Sequence, residues 1–560
     1  MRNSNYVAAW MDYRQQKVVV TERDCDTGER FTTLWNFPLY FYVPDENGEH
    51  TTLTGERVTK LSFDTQEEYD SAIRQYPRKW ESDIRPVNRV LMDHYGHSSV
   101  APNGRPTPPV TFALFDIEVD YKQSLGFSSP TNPYAPINAV TIYQSWSKRF
   151  ITLAVPPPGV DKNTFVLPTA KEMKDEFKFD VEPEIYLCDN ELELLEGLLD
   201  SIQDADIISG WFSEFFDVPY VCERIRMTMG EQALKSLELP GARPPKKEMV
   251  NRFGSEEPIY KFFGRSHLDY LRLFEKFTFE GRSSYSLANI AFEELDVPKL
   301  EYEGTLEELY KNDFRMFLLY NIRDVEILKL LDEKFKFIQL CNQMAHENTV
   351  VFSAILGTVA YVETGITNHA HHKLSKVVHD KVISEHDKVE GAVVLSPRIG
   401  LHEWVGSVDI NSLYPNVIRS LNISPETIIG QFSNYIEEHD WMQIKNRTDE
   451  RITLILESGE QVIKTAAEWS DELKENKWAV SAYGTVFDQS RGRGVIPDIL
   501  GYWYTERKRL QAEKKKWGKE VKSLRQSLGI DISHLVKEVE KSEKEDTKSI
   551  FNDEDGIPNL

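Results

Sequence analysis

The stretch TFALFDIEVD, residues 111–120, reads as a buried β-strand. Side chains along a strand alternate between its two faces, so Asp116 and Glu118 project together while Phe115, Ile117 and Val119 point the other way. Two carboxylates on one face can hold a divalent cation. A solvated edge with alternating charge is the ordinary alternative. Downstream, NAVTIYQSWS and RFITLAV have the pattern of the adjoining hairpin, ELELLEGLLDSI of a helix, DADIISGWF of a strand and VPYVCERIRM of a helix. A long amphipathic segment runs from about Phe314 to Phe335. This order predicts a mixed α+β fold in which helices cover a mixed sheet.

Two further acids fall where such a fold could bring them near the first pair. Asp217, in ISGWFSEFFDVPYV, lies where a strand gives way to a helix and can point into the same cleft. It can equally be a helix N-cap, a common role for Asp. Tyr320 and Asp324, in FLLYNIRDVEIL, share a helical face by their i, i+4 spacing, as do many core tyrosines and surface acids.

Outward from this block, the first hundred residues alternate β-like runs (YVAAWMDY, KVVVTERD, TLWNFPLYFYV) with turn signals and end in the Pro- and Gly-rich GHSSVAPNGRPTPP, as an N-terminal domain and linker would. EMVNRFGSEEPIYKFF places β-like arms around a Gly-Ser turn, a projecting hairpin. A new block starts near Glu390, and the last seventy or so residues turn helical and charged, without internal repeats. A chain of 560 residues with 40% hydrophobic content has room for about three or four domains. Four scattered cysteines without metal spacing argue against structural zinc and for a reducing compartment. The N-terminus lacks a signal-peptide core and no apolar run approaches a membrane span, so a soluble cytoplasmic protein is expected. The net charge of -24 counts against nucleic acid only if charge is spread evenly; an acidic exterior can enclose a basic channel or a metal site.

Taken together, DxE on a first strand, FD at a later strand-to-helix turn and YxxxD on a closing helix resemble the DEDDy-class proofreading exonuclease of family B DNA polymerases, most closely of the T-even bacteriophage type. The wording GWxxExFDxPYVxxRI around Asp217, SYSLxxI at Ser284 to Ile290 and YNIxDV at Tyr320 to Val325 carries the resemblance. It implies a ribonuclease H-like domain in which Asp116, Glu118, Asp217 and Asp324 hold two Mg²⁺ ions about 4 Å apart, or Mn²⁺ in their place, while Tyr320 orients the attacking water. The family usually has Asn where this chain has Phe212, so the amide contact to the frayed primer end is replaced by a ring that could stack on a base. The hairpin at residues 248–262 matches the element that helps move the primer end.

SVDINSLYPNVIRSLNISPET resembles the first palm motif of the same polymerases. It implies metal binding at Asp409 and Ile410, a triphosphate cradle at Ser412 and Leu413, and exclusion of a 2′-hydroxyl by Tyr414. EGAVV, with Gly391 and Ala392, stands in place of the template-contact motif YxGA, with Val389 where Tyr is usual. GVIPDILGYWYTERKRLQAEKKKW resembles the first fingers helix, with Arg507 as phosphate ligand and Gln511 where a lysine is expected. For Lys514, Lys515, Lys516 and Lys519 a solvated basic helix is the alternative.

The returning fingers helix with KxxxNSxYG, the DTD strand and the thumb are missing, and KEVEKSEKEDTKSIFNDED reads as a solvated tail. The expected division is 1–110 (with 336–385 returning to it) for the N-terminal domain, 111–335 for the exonuclease, 386–494 for a partial palm and 495–560 for partial fingers and tail. Expected partners are primer-template DNA, single-stranded 3′ ends, a dNTP once the palm is completed, a complementary C-terminal polymerase chain, a sliding clamp and a single-strand binding protein. The setting would be the host cytoplasm if the chain is phage-encoded. A piece of one long chain and a free exonuclease stay open beside the split polymerase, as does a nucleic-acid-binding or translational-regulatory protein with vestigial catalysis.

Overall fold

Val18, Val19 and Val20, facing Ala9, Trp10 and Met11, belong to an antiparallel meander of Ser4–Asp12, Lys17–Asp24 and Arg30–Asn36. The structure, a computed structural model, describes residues 3–96, 106–120, 122–252, 254–279, 281–381, 395–410, 412–433 and 439–527. Contacts divide the chain into one unit of Met1–Tyr40, Ser62–Gln75 and Ile84–Asn368 and a second of Phe41–Leu61, Tyr76–Asp83 and His369–Leu560.

The first unit is built on a six-stranded mixed sheet in the order Pro183–Leu187, Phe150–Ala154, Ile137–Gln144, Phe112–Val119, Ile207–Ser209, Ser266–His267. Phe112–Val119 is antiparallel to Ile137–Gln144, which is antiparallel to Phe150–Ala154, so the expected hairpin forms beside the expected strand. Ile207–Ser209 pairs with it in parallel. Phe115, Ile117, Val140 and Ile142 pack beneath Glu191–Ser201 and Asp217–Thr228, while Leu114 and Ile207 join Val325 and Leu328 of Phe314–Phe335 on the opposite face. A sheet apolar on both faces has to be covered twice, and the two helix layers do this.

Fully buried Asp206 fixes the start of the central strand. It accepts from the Thr111 amide at 3.0 Å and is ion-paired to Arg23 at 2.6 Å, which ties the meander to the large sheet. Lys246–Arg252 and Ser255–Lys261 form the expected hairpin, in register from Lys246↔Lys261 to Arg252↔Ser255.

The second unit contains a four-stranded sheet (Lys376–Val377, His50–Thr52, Arg57–Ser62, Tyr40–Pro44) and a five-stranded one (Gln461–Thr465, Arg451–Leu456, Ile428–Phe432, Thr485–Asp488, Trp478–Val480). Phe432, Ile452, Leu454 and Trp469 fill the core of the latter. Its NISPET segment anchors the helix Val495–Ser527. Asn422, at φ +56°, donates to the carbonyls of Asp488 (2.7 Å) and Gly492 (3.0 Å) and accepts from the Gly494 amide at 3.0 Å. Glu426 accepts from the Val495 amide, and a Cβ on Gly494 would lie 2.4 Å from that of Ser424. Asn422→Ala removes three hydrogen bonds, two of them buried, so a loss of about 2–4 kcal/mol from this unit is expected, with Gly494→Ala comparable. Denaturant unfolding followed by Trp469 fluorescence measures it; a change below about 0.5 kcal/mol would contradict the anchoring role.

Among the described residues no helix is long and apolar enough to cross a membrane. Gly391, Ala392 and the tail after Ser527 lie outside the described residues.

Candidate active site

The turn after Ile207–Ser209 brings the acids together. A Cβ on Gly210 would come within 2.7 Å of the Phe115 carbonyl oxygen, so only glycine lets the chain cross the central strand this closely. The loop then delivers Asp217 at the first turn of Asp217–Thr228, where its Oδ1 accepts from the Ile117 amide at 3.2 Å. It does not act as the N-cap, which is Phe216.

Asp116, Glu118 and Asp324 converge, with one ligand oxygen from each lying within 4.8 Å of the others. Asp217 is not one of the three, but is buried beside them and adds its charge to that felt by Asp116. Individual oxygens are already committed. Asp116 Oδ2 accepts from Asn321 Nδ2 at 2.9 Å, and Asp324 Oδ2 pairs with Lys299 Nζ at 2.7 Å. Asp324 Oδ1 is buried with no hydrogen-bond partner. A buried acceptor costs free energy until a donor or cation reaches it, so an unsatisfied oxygen on one of three converging carboxylates fits a metal ligand.

Burial is the first cause that raises all four acids: Asp116 well above the usual carboxylate range, with the charges of Asp217, Asp324 and Glu118 adding to it; Glu118 to about 8, with Asp324 adding; Asp217 to about 7, against the hydrogen bond from the Ile117 amide; and Asp324 upward by burial alone, against Lys299 and Arg323. Lys299 also donates to the Tyr320 hydroxyl at 2.6 Å. Burial works against its charge, but Asp324 and Tyr320 outweigh this and raise its pKa. Tyr320 is itself raised, by burial and then by Asp324.

The raised acids give a sign for stability. Unfolded carboxylates ionise near 4–4.5, whereas Glu118 in the fold holds its proton to about 8. The native state therefore binds more protons between these values, and metal-free protein loses stability as pH rises through that window. Glu118→Gln is expected to raise the metal-free Tm at pH 8 by roughly 3–8 °C, and Mg²⁺ to raise wild type by more than the variant. Calorimetry with and without chelator tests both; a variant melting below wild type in chelator would refute the repulsion.

Sequence reading missed Lys299, which sits in an unpatterned PKLEY, and Asn321, although YNIxDV contains it. It also missed Phe127, 68% exposed with its ring 5.6 Å from that of Phe216, and Asp269, which accepts from the Phe212 and Glu214 amides. In the second unit Arg507 Nη1 comes 3.4 Å from Ser412 Oγ, joining two of the expected triphosphate residues. Asp409, Ile410, Leu413 and Tyr414 are exposed, and residues 395–410 have no regular secondary structure.

A family model described as the exonuclease domain of DNA polymerase family B matches residues 78–290, and one described as DNA polymerase family B matches 337–527. The DNA-directed DNA polymerase of Escherichia phage RB69 is 34% identical over 332 residues, covering 58% of this chain and 36% of that protein. That of Enterobacteria phage T4 is 31% identical over 323 residues, covering 57% and 32%. DNA polymerase 1 of Aeropyrum pernix is 24% identical over 392 residues, covering 64% and 35%. The chain thus spans about a third of the length of these curated relatives. Two matched domains in sequence order, joined to a carboxylate cluster on the elements that the exonuclease pattern requires, mean that this chain belongs to DNA polymerase family B.

Proposed function

We propose that the first unit hydrolyses DNA from its 3′ end with two divalent cations, Mg²⁺ by preference, and that the second carries one part of a nucleotidyl transfer site. The observation that carries the nuclease reading is the convergence of Asp116, Glu118 and Asp324 with one buried carboxylate oxygen unsatisfied. Asp116, Glu118 and Asp324 would hold the cations, with Asp217 alongside. Bound cations supply charge neutralisation at the phosphodiester and a lowered pKa for the attacking water.

The rest is done by the protein. The raised Tyr320 stays a neutral phenol, hence a hydrogen-bond donor and not a base. Its oxygen is occupied by the Lys299 ammonium, which leaves its own hydrogen to orient a water. Asn321 holds Asp116, and the Ile117 amide holds Asp217, so the acids need little rearrangement. The water oxygen attacks phosphorus, the P–O3′ bond breaks, and the leaving 3′ oxygen takes up a proton.

A 5′-labelled single-stranded oligonucleotide should shorten nucleotide by nucleotide from its 3′ end with Mg²⁺ and stay intact with chelator. Shortening from the 5′ end, or none, would overturn the reading.

For the second unit, Asp409, Ile410, Ser412, Leu413, Tyr414 and Arg507 form one portion of the transfer site, and a segment bearing the NSxYG and DTD motifs has to complete it. That segment belongs either to the same longer protein or to a separate chain, and a dNTP binds only to the completed site. The division into N-terminal, exonuclease, palm and fingers domains is part of this proposal, as are primer-template DNA, a sliding clamp and a single-strand binding protein as partners. Templated extension is expected to be absent from this chain alone and to appear when a polypeptide with both motifs is added; extension by the isolated chain would refute this.

A further inference from the structure

Pro183–Leu187 stands at one end of the six-stranded sheet, parallel to Phe150–Ala154. Just beyond it the Cys188 amide donates to the Ala154 carbonyl at 2.8 Å. Alternate residues of a parallel strand turn both backbone groups to the same neighbour, so Glu184 and Tyr186 bond to Phe150–Ala154, and Ile185 and Leu187 present their N–H and C=O groups outward. Among the described residues no hydrogen bond reaches these outward groups. The side chains of Ile185 and Leu187 pack on the cluster of Leu309, Tyr310 and Phe314, which holds the open edge in place.

A groove of about 610 Å³ follows this edge, since residues from both faces of the strand line it. On the Ile185 face its wall is apolar, from Phe165 and Leu167. On the Tyr186 face, where that ring is 49% exposed, the wall is acidic: Glu193, Glu196 and Asp200 share one side of the helix Glu191–Ser201 by their i, i+3, i+7 spacing, and all three are exposed. The one lysine in the groove, Lys162, is paired to Asp189 at 2.5 Å, and Glu193 accepts from the Asp189 amide at 2.6 Å. Glu196 and Asp200 have no partner among the described residues. An exposed strand edge is a template for another chain, and proteins ordinarily cover or blunt it.

We propose that Pro183–Leu187 is a docking strand for another protein, which adds an extended segment alternating lysine or arginine with apolar residues. Its backbone pairs with Ile185 and Leu187, its cations face Glu193, Glu196 and Asp200, and its apolar side chains face Phe165 and Leu167. The charge selects among occupants. Single-stranded nucleic acid would meet three carboxylates, and a second copy of this edge would set the same carboxylates against each other. This chain's own KEVEKSEKEDTKSIFNDED carries the wrong sign. Two strands, Phe150–Ala154 and Ile137–Gln144, separate the edge from the strand of Asp116, so docking does not depend on the exonuclease reading.

Fluorescence anisotropy of the full chain with a labelled hexapeptide alternating lysine and valine tests it. At low salt a Kd of roughly 10–100 µM is expected, and no binding would overturn the docking strand. The same peptide with every amide N-methylated keeps its charges but cannot pair with an edge, and should bind at least about 10-fold more weakly. Equal binding would mean that charge alone attracts it. Glu196→Lys combined with Asp200→Lys, both at exposed positions where unfolding is not at issue, should weaken the lysine peptide about 10-fold and favour one alternating glutamate and valine. An unchanged preference would place the peptide elsewhere. Hydrogen exchange locates the contact: saturating lysine peptide should slow exchange of the Ile185 and Leu187 amides by about 10-fold or more, and unchanged exchange at both would refute the pairing.

Discussion

Asp116→Ala combined with Glu118→Ala is expected to slow 3′-end hydrolysis by about 10⁴-fold or more while leaving the fold intact. These residues supply two of the three converging carboxylates, and Asp324 keeps one oxygen on Lys299. One remaining free oxygen and a neighbouring Asp217 cannot hold two dications. On the proposed two-cation reading, what is lost is the stabilisation that a metal pair would give to the attacking and leaving oxygens, which at about 1.4 kcal/mol per factor of ten corresponds to roughly 5–6 kcal/mol. The pKa shifts separate this from unfolding. All four acids are raised by burial, and Asp116 and Glu118 also by their acidic neighbours, so deleting these two relieves a repulsion, and the metal-free variant should melt at or above the wild-type temperature. Paired measurements on one preparation, a labelled oligonucleotide for rate and calorimetry in chelator for stability, check both halves. A variant that keeps a tenth of wild-type activity would remove these acids from the site, whatever its Tm.

How much of this could be read beforehand depends on the range of the signal. Asp116 and Glu118 were legible because the strand period is two and the neighbours Phe115, Ile117 and Val119 are apolar, which fixes the face without a structure. The helix Phe314–Phe335 was legible from its periodicity, and with it the alignment of Tyr320 and Asp324. Asp217 was placed correctly at a strand-to-helix turn, but nothing local shows that its carboxylate is bound to the Ile117 amide and stands outside the three-oxygen cluster. Lys299 was invisible for a related reason: PKLEY has no period, and its partners lie on a helix more than twenty positions on. The oddity of Phe212 was readable as a departure from a family pattern; the guanidinium of Arg252 above it depends on how a hairpin folds back, which no spacing records. NISPET was useful only as a word, whereas in the fold its Asn422 and Glu426 bind the start of a 33-residue helix.

Lys299→Ala should cost both rate and stability, and the two losses should respond differently to metal. The ammonium lies 2.7 Å from Asp324 Oδ2 and 2.6 Å from the Tyr320 oxygen, so it offsets a buried acid and also fixes the phenol. Without it, Asp324 keeps its desolvation cost and loses its ion-pair partner, leaving only the more distant charge of Arg323, an imbalance of about 2–4 kcal/mol in metal-free protein. Mg²⁺, by neutralising the same carboxylate, should recover most of that stability. It should not recover the rate, because the phenol would still lack the donor that directs its hydrogen, and about 10²–10³-fold in kcat is expected to remain lost. Tyr320→Phe separates the roles: it should reproduce most of the rate loss with little change in metal-free Tm. If both residues act through one oriented phenol, the double variant should be scarcely slower than Lys299→Ala alone. Multiplying rate losses in the double variant would mean that Lys299 acts on the substrate by itself, and a Lys299→Ala protein restored to wild-type rate by excess Mg²⁺ would reduce the lysine to a substitute for the missing cation.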